Sequence, residues 1–147
     1  MREILFKAKQ IDNGEWIEGS LIDLDIDSGY CYIVQPYKKA SILPIIFLIT
    51  DRMKLVDPET LCQFTGLCDK NGKKIWENDI VLVIYENRYY EKKELSTGRI
   101  VFIRGAWYIG GKVWNELYAI DEDAIFQVEI VGNIFDNPVL LQEESDE

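Results

Sequence analysis

Histidine is absent from this chain of 147 residues. Its absence excludes Ser-His-Asp triads, proton transfer by an imidazole and every metal site that needs an imidazole ligand. Long apolar runs are also missing. The longest, Ile42–Ile49, contains Pro44 and is much shorter than the ~20 residues that a transmembrane helix needs. Since the first residues show no apolar core of a secretion signal, we expect a cytoplasmic protein.

Cysteine is scarce, with only Cys31, Cys62 and Cys68. An odd number without a secretion signal argues against a disulfide framework, and the Cys62 to Cys68 spacing has no second pair that would complete a zinc site. We therefore predict reduced, mostly buried cysteines, and we expect neither a metal nor a cofactor.

Basic residues are missing from the last part of the chain. Residues 116–147 carry ten acidic side chains and no basic one, whereas residues 61–115 carry nine basic and six acidic ones. The overall net charge of −10 disfavours broad binding to nucleic-acid phosphates. Residues 143–147 are expected to form an acidic tail that aids solubility. The alternative is an acidic arm that meets the basic middle segment of this chain or of a neighbour.

Short strand patterns separated by turn residues dominate the sequence, and no segment shows a long helical period. Asn13–Gly14 and Asn71–Gly72 are strong hairpin turns. Pro58 predicts a short helical turn with Asp57 as its N-cap, near a boundary between two halves. The pattern predicts an all-β sandwich or small barrel with few or no long helices. The expected divisions are an N-terminal β subdomain (1–58), a second β half (59–142) and the tail (143–147).

Aspartates alternate with apolar residues between positions 21 and 27, which predicts a strand with one acidic, solvated face. Asp23 would open a calcium-binding loop, but Ser28 stands where such a loop needs glycine and Val34 where it needs glutamate. The strand is therefore the preferred interpretation.

Catalytic sets of residues are poorly represented. Lys74, Glu77 and Asp79 form one group of a lysine and nearby carboxylates, while the acidic residues 121–123 are consecutive and do not converge. Asp79 is expected to cap a turn by accepting backbone N–H bonds. We therefore predict a protein that is not an enzyme. A metal-dependent enzyme stays as a third hypothesis and would predict thermal stabilisation by metal.

Aromatic and basic side chains in the second half supply the candidate binding residues. The charged segment Glu86–Glu94 is predicted to be an exposed loop, and the two tyrosines inside it are the aromatic residues least suited to the core. Aromatic anchors carry much of the energy of protein interfaces. Lysine and arginine side chains would contact the phosphates of a nucleic acid. The candidate site comprises Tyr89, Tyr90, Lys92, Lys93, Arg99 and Arg104. Further aromatic residues considered with it are Tyr85, Trp107, Tyr108, Trp114 and Tyr118.

Residues 61–81, LCQFTGLCDKNGKKIWENDIV, resemble the signature of the YopX family, which runs roughly QyTGLkDKnGkeIyeGDIV. The chain departs from it at Asn78, where glycine is usual, and at Cys68, where lysine is usual. Asparagine tolerates the left-handed backbone that glycine would supply, so the turn should survive. Residues 128–141 are similar to the family's C-terminal motif, with Val139 where glutamate is common, and residues 1–16 fit its opening strand more loosely.

The resemblance implies a protein of phages and prophages, mainly of Gram-positive bacteria, with an all-β fold and an SH3-type barrel-like C-terminal half. It implies no enzymatic activity and carries over no catalytic or ligand residues. The leading hypothesis is a non-enzymatic phage accessory protein in the host cytoplasm, acting by contact with another protein or by self-assembly into a homo-oligomer. The alternative is a nucleic-acid-related protein, either a DNA mimic or a weak binder through the basic segment 70–112.

Overall fold

The computed structural model describes residues 2–35, 52–86, 92–111, 115–116 and 126–142. The chain forms two compact units, Met1–Phe64 and Thr65–Glu147. The sequence places the boundary between residues 58 and 59. That position lies inside the 3-10 helix Pro58–Thr60 and before the division between the two units. The all-β expectation is confirmed, because the described residues form eleven strands, and the α-helix α1 (Val139–Gln142) has only four residues.

The first unit contains an antiparallel sheet whose order is β4-β3-β2-β1-β5. The strands are β1 (Phe6–Lys9), β2 (Trp16–Asp25), β3 (Tyr30–Val34), β4 (Met53–Leu55) and the start of β5 (Cys62–Cys68), which continues into the second unit. The predicted hairpin at Asn13–Gly14 is confirmed, since β1 pairs with β2 and Gly14 has a φ of 70°. One face of this sheet buries a cluster of Ala8, Ile17, Cys31, Ile33 and Val56.

Local capping shapes the ends of these strands. The prediction of a continuous acidic-faced strand to residue 27 is wrong, because β2 ends at Asp25 and a 3-10 helix, Ile26–Ser28, follows. The Asp25 carboxylate accepts a hydrogen bond from the Ser28 N–H at 3.3 Å and stabilises that turn instead. The predicted cap at Asp57 is confirmed, since its carboxylate accepts from the Glu59 N–H at 3.0 Å.

The second unit contains a five-stranded antiparallel sheet with the order β10-β9-β8-β7-β11. The remaining strands are β6 (Lys74–Trp76), β7 (Asp79–Glu86), β8 (Lys92–Ile103), β9 (Ala106–Gly110), β10 (Asn115–Glu116) and β11 (Phe126–Asn133). Closure of these strands into an SH3-type barrel stays a prediction.

The core of this sheet is aliphatic and comprises Ile75, Val81, Val83, Ile100, Ile109 and Val128. β7 is buried on both faces, because Ile80 and Val81, which point to opposite sides of the strand, are each 0% exposed. The prediction that apolar residues after Asp79 begin a core strand is therefore confirmed.

The predicted loop Glu86–Glu94 is wrong at both ends. Glu86 is the last residue of β7, and β8 begins at Lys92, with Lys92 paired to Glu86 and Lys93 to Tyr85. Strand pairing is made by the backbone, so charged side chains at the end of a sheet do not prevent it. Several expectations lie outside the described residues, namely those for Pro44 and its apolar run, Trp114, Tyr118, the acidic residues 121–123 and the tail 143–147.

Candidate contact surface on the β8–β9 hairpin

The residues of the sequence-predicted site do not form one patch in the described part of the chain. Tyr89 and Tyr90 lie outside the described residues. Lys92 and Lys93 lie at the beginning of β8, a strand of twelve residues, whereas Arg104 follows its other end. At about 3.3 Å per residue, the backbone of Lys92 and that of Arg104 are at most about 40 Å apart, with the length of the strand between them. The two ends of β8 must therefore be considered separately.

Arg99, in the second half of β8, has a structural partner. Its guanidinium donates through Nε and Nη2 to the Asn78 side-chain oxygen at 3.2 and 2.9 Å. Asn78 has a φ of 68°, which confirms that asparagine adopts the left-handed conformation there. Its N–H also donates to the Ile100 carbonyl, and its own carbonyl accepts from the Ile134 N–H. Arg99 thus helps to hold the turn before β7, although its side chain is exposed.

The β8–β9 turn has a backbone that arginine rarely adopts. Ile103 pairs with Ala106, so the turn consists of Arg104 and Gly105 alone. Their φ values of 52° and 81° are those of a type I′ turn, in which asparagine followed by glycine is favoured. Holding arginine in the left-handed region costs roughly 1 kcal/mol relative to the right-handed one.

Apolar side chains surround this turn and remain accessible. Phe102 is 53% and Ile103 39% exposed, although both lie in a strand. Phe102 stacks on Trp107 of β9, with ring centroids 4.9 Å apart and planes inclined by 58°. Trp107 also packs against the aliphatic core, so the exposed phenyl ring rests on an anchored indole. We call Phe102, Ile103, Arg104 and Trp107 the hairpin surface; Phe102 and Trp107 are paired and share one face of the hairpin, whereas Ile103 points to the other face.

Two of the four residues of the hairpin surface were predicted from the sequence. Arg104 and Trp107 were among the candidates, whereas Phe102 and Ile103 have the pattern of ordinary core-facing strand residues. The available signal was their position: the last residues before a two-residue turn lie beyond the packed part of a sheet. The stretch 95–115 also contains no acidic residue, in a chain with 26 of them.

Of the lysine and carboxylate group considered for catalysis, Asp79 has a structural role. The Asp79 carboxylate is 3% exposed and accepts from the Trp76 N–H at 2.8 Å, which confirms its predicted capping role. Within the described ranges, no three histidine, cysteine, aspartate or glutamate side chains are grouped so that they could hold a metal ion. No helix among the same residues is long and apolar enough to cross a membrane.

The cysteines are all free thiols, with Cys31 and Cys62 buried and Cys68 exposed. Burial raises the pKa of the Cys31 thiol, and the negative charge of Asp23 raises it further. Cys31 is therefore a packing residue rather than a nucleophile.

The turn between β5 and β6 carries a carboxylate that accepts three backbone hydrogen bonds. Asp69 is 7% exposed, and its Oδ1 accepts from the Asn71 and Lys73 N–H groups, both at 2.9 Å. Its Oδ2 accepts from the Ile130 N–H in β11 at 3.1 Å, across 61 positions of sequence. Burial alone would raise the pKa of this carboxyl. The three N–H donors and the charge of Lys73 outweigh burial and lower the pKa.

Comparison with known proteins supports the sequence resemblance. The sequence profile of the YopX protein family matches residues 5–142. No curated protein matches the chain. In structure, the chain is similar to the crystal structure of protein EF1440 from Enterococcus faecalis, with a TM-score of 0.54 and 22% identity over 96% of this chain and 99% of that one. This likeness concerns the fold.

Proposed function

The chain belongs to the YopX family, and from that membership we propose a non-enzymatic phage or prophage accessory protein that binds another protein through the hairpin surface. It acts in the cytoplasm of the host bacterium. The observation that carries this proposal is the exposed Phe102 beside Arg104, which occupies a backbone conformation unfavourable for arginine. Residues kept in such conformations cluster at functional sites.

The chemistry of the hairpin surface matches that of protein interfaces. Aromatic residues and arginine are enriched at binding hot spots, where they become fully desolvated. Complete burial of a phenylalanine side chain contributes about 1.5–3 kcal/mol. Trp107 packs against the core and contacts the Phe102 ring before binding, so little side-chain entropy is lost when a partner covers Phe102.

A nucleic acid is the weaker alternative as a partner. Arg99 is bonded to Asn78, so its guanidinium would have to leave that partner to contact a phosphate. The net charge of −10 opposes approach to a polyanion. A second copy of the chain is one kind of protein partner.

The test is affinity capture of the tagged chain from host lysate, with and without nuclease, in three variants. Phe102→Ser and Arg104→Asn alter the hairpin surface. Val139→Ser removes an equally exposed apolar residue, 59% exposed, elsewhere in the same unit and is the matched control. We expect a protein that survives nuclease, is retained by Val139→Ser and is lost at least tenfold by the other two. Equal capture by all three variants, or loss of every protein after nuclease, would refute the proposal.

A further inference from the structure

β11 is an outer strand of the five-stranded sheet, next to β7 alone among the described strands. An outer strand presents backbone N–H and C=O groups on its free side, and these groups can pair with a strand from another chain. Its sequence from Phe126 to Val131, FQVEIV, is rich in residues that favour strands and contains neither glycine nor proline. Such an edge needs a cover if the chain is not to associate through it.

The β5–β6 turn covers this edge. The Lys70 N–H donates to the Val128 carbonyl at 3.0 Å, and the Ile130 N–H donates to Asp69 Oδ2 at 3.1 Å. Val128 and Ile130 are two residues apart, so their backbone groups point to the same side of the strand. The turn therefore occupies the two positions at which an added strand would begin to pair.

The same carboxylate that binds β11 also holds the turn in shape. Asp69 Oδ1 accepts from the Asn71 and Lys73 N–H groups, and the Asp69 carbonyl accepts from the Gly72 N–H at 3.0 Å. The Lys70 ammonium lies 3.5 Å from Glu129 Oε2. A rigid turn bound at two backbone positions is a stable cover, and loss of either bond weakens it selectively.

We propose that the β5–β6 turn is an autoinhibitory cap on β11, and that opening this cap lets β11 pair antiparallel with β11 of a second copy. A second copy is the occupant that fits, because an antiparallel pair of identical strands is related by a twofold axis, the commonest symmetry of protein dimers. The cap is separate from the hairpin surface, so either proposal can fail alone.

The decisive comparison is between Lys70→Pro and Lys70→Ala. Lys70 is the second residue of the turn Asp69–Gly72, and proline is favoured there. Lys70→Pro therefore keeps the turn but removes the N–H that binds the Val128 carbonyl. Lys70→Ala keeps this N–H and removes only the ammonium. We expect sedimentation velocity to show a concentration-dependent rise in mass over the wild type for Lys70→Pro and none for Lys70→Ala.

Two further variants test whether the bond to Ile130 covers the edge and whether β11 is the strand that associates. Asp69→Asn removes the charged acceptor of the Ile130 N–H, and we expect at least tenfold faster hydrogen exchange at that amide, together with association. Val131→Lys places a charge beside the edge, at a residue that is 40% exposed, and should restore the wild-type mass when added to Lys70→Pro. Faster exchange at Ile130 without association would overturn the proposal. Association that Val131→Lys leaves intact would overturn it as well, because another surface would then be responsible.

Discussion

Asp69 is a residue whose ionised carboxylate holds both its own turn and β11. Its folded-state pKa is lowered, so the carboxylate stabilises the fold above the pKa of the unfolded chain, about 3.9 for aspartate, and this contribution disappears as pH falls through the folded-state value. We predict that Asp69→Asn is about 1–3 kcal/mol less stable than the wild type at pH 7. The deficit should shrink at pH values below about 4.

Urea unfolding of both proteins at a series of pH values between 7 and 2 measures this difference. Asn71→Ala, which keeps the Asp69 carboxylate and its N–H donors, is the matched control and should show the wild-type dependence on pH. A deficit of Asp69→Asn that stays constant across the series would mean that ionisation of Asp69 contributes nothing to stability.

Asn78 combines a backbone requirement with a side-chain bond. Its φ of 68° suits glycine, and its side chain accepts both bonds from Arg99. We predict that Asn78→Gly retains most of the stability, since glycine adopts this φ freely, whereas Asn78→Ala is less stable than Asn78→Gly by about 1 kcal/mol. Chemical denaturation of the two variants measures the difference. Equal stabilities would show that the left-handed backbone is not strained at this turn.

Single residues explain why sequence reasoning succeeded at some turns and stopped at others. Asp57 and Asp79 were predicted correctly because a cap depends on neighbours within a few positions of sequence. The left-handed backbone of Asn78 was predicted from the resemblance, because the family has glycine at that position. Near Asp69, the sequence predicted only the hairpin turn at Asn71–Gly72. The hydrogen bond between Asp69 and Ile130 joins residues that are distant in sequence, so no local sequence pattern could predict it.

At the scale of elements, Arg104 in the β8–β9 hairpin is expected to lower the stability of the turn and to strengthen binding of the partner. A type I′ turn favours asparagine before glycine, so we predict that Arg104→Asn stabilises the chain by about 0.5–1 kcal/mol. The same change removes the guanidinium from the hairpin surface and should weaken capture of the partner. Thermal and urea unfolding measure the first effect. A loss of stability in Arg104→Asn would show that the arginine side chain stabilises the turn in the absence of a partner.

Turn residues predicted the hairpins, but they did not predict the lengths of the strands. The charged ends of β7 and β8 resembled a loop because alternation of apolar and polar side chains is lost there, although the backbone continues to pair from Glu86 to Lys92. The pattern also did not predict exposure, because Phe102 lies in the continuous apolar run Ile100–Ile103, which is typical of a buried strand, and yet it is 53% exposed at the end of the hairpin.

For the whole molecule, the uneven charge has a measurable consequence. A net charge of −10, with ten acidic and no basic residues between positions 116 and 147, produces self-repulsion that salt screens. We predict that raising NaCl from about 20 to about 500 mM increases the melting temperature by about 2–4 °C, equivalent to roughly 1 kcal/mol for a chain of this size. Thermal melts followed by circular dichroism measure this shift.

The matched control for this prediction neutralises the tail by Glu143→Gln, Glu144→Gln, Asp146→Asn and Glu147→Gln. With four negative charges fewer, the increase in melting temperature with salt should be smaller. A melting temperature that falls with salt would mean that attractive pairs such as Lys70–Glu129 outweigh the repulsion.

The two-residue turn between β8 and β9 makes the hairpin surface continuous in sequence, from Phe102 to Trp107. Most protein interfaces draw on segments distant in the chain and cannot be reproduced outside their fold. Here a cyclic peptide closed at the Phe102–Trp107 pair would present the same aromatic rings and guanidinium on a matching turn. A short, transplantable epitope of this kind could serve as a competitor for the partner, or carry the binding activity to an unrelated hairpin.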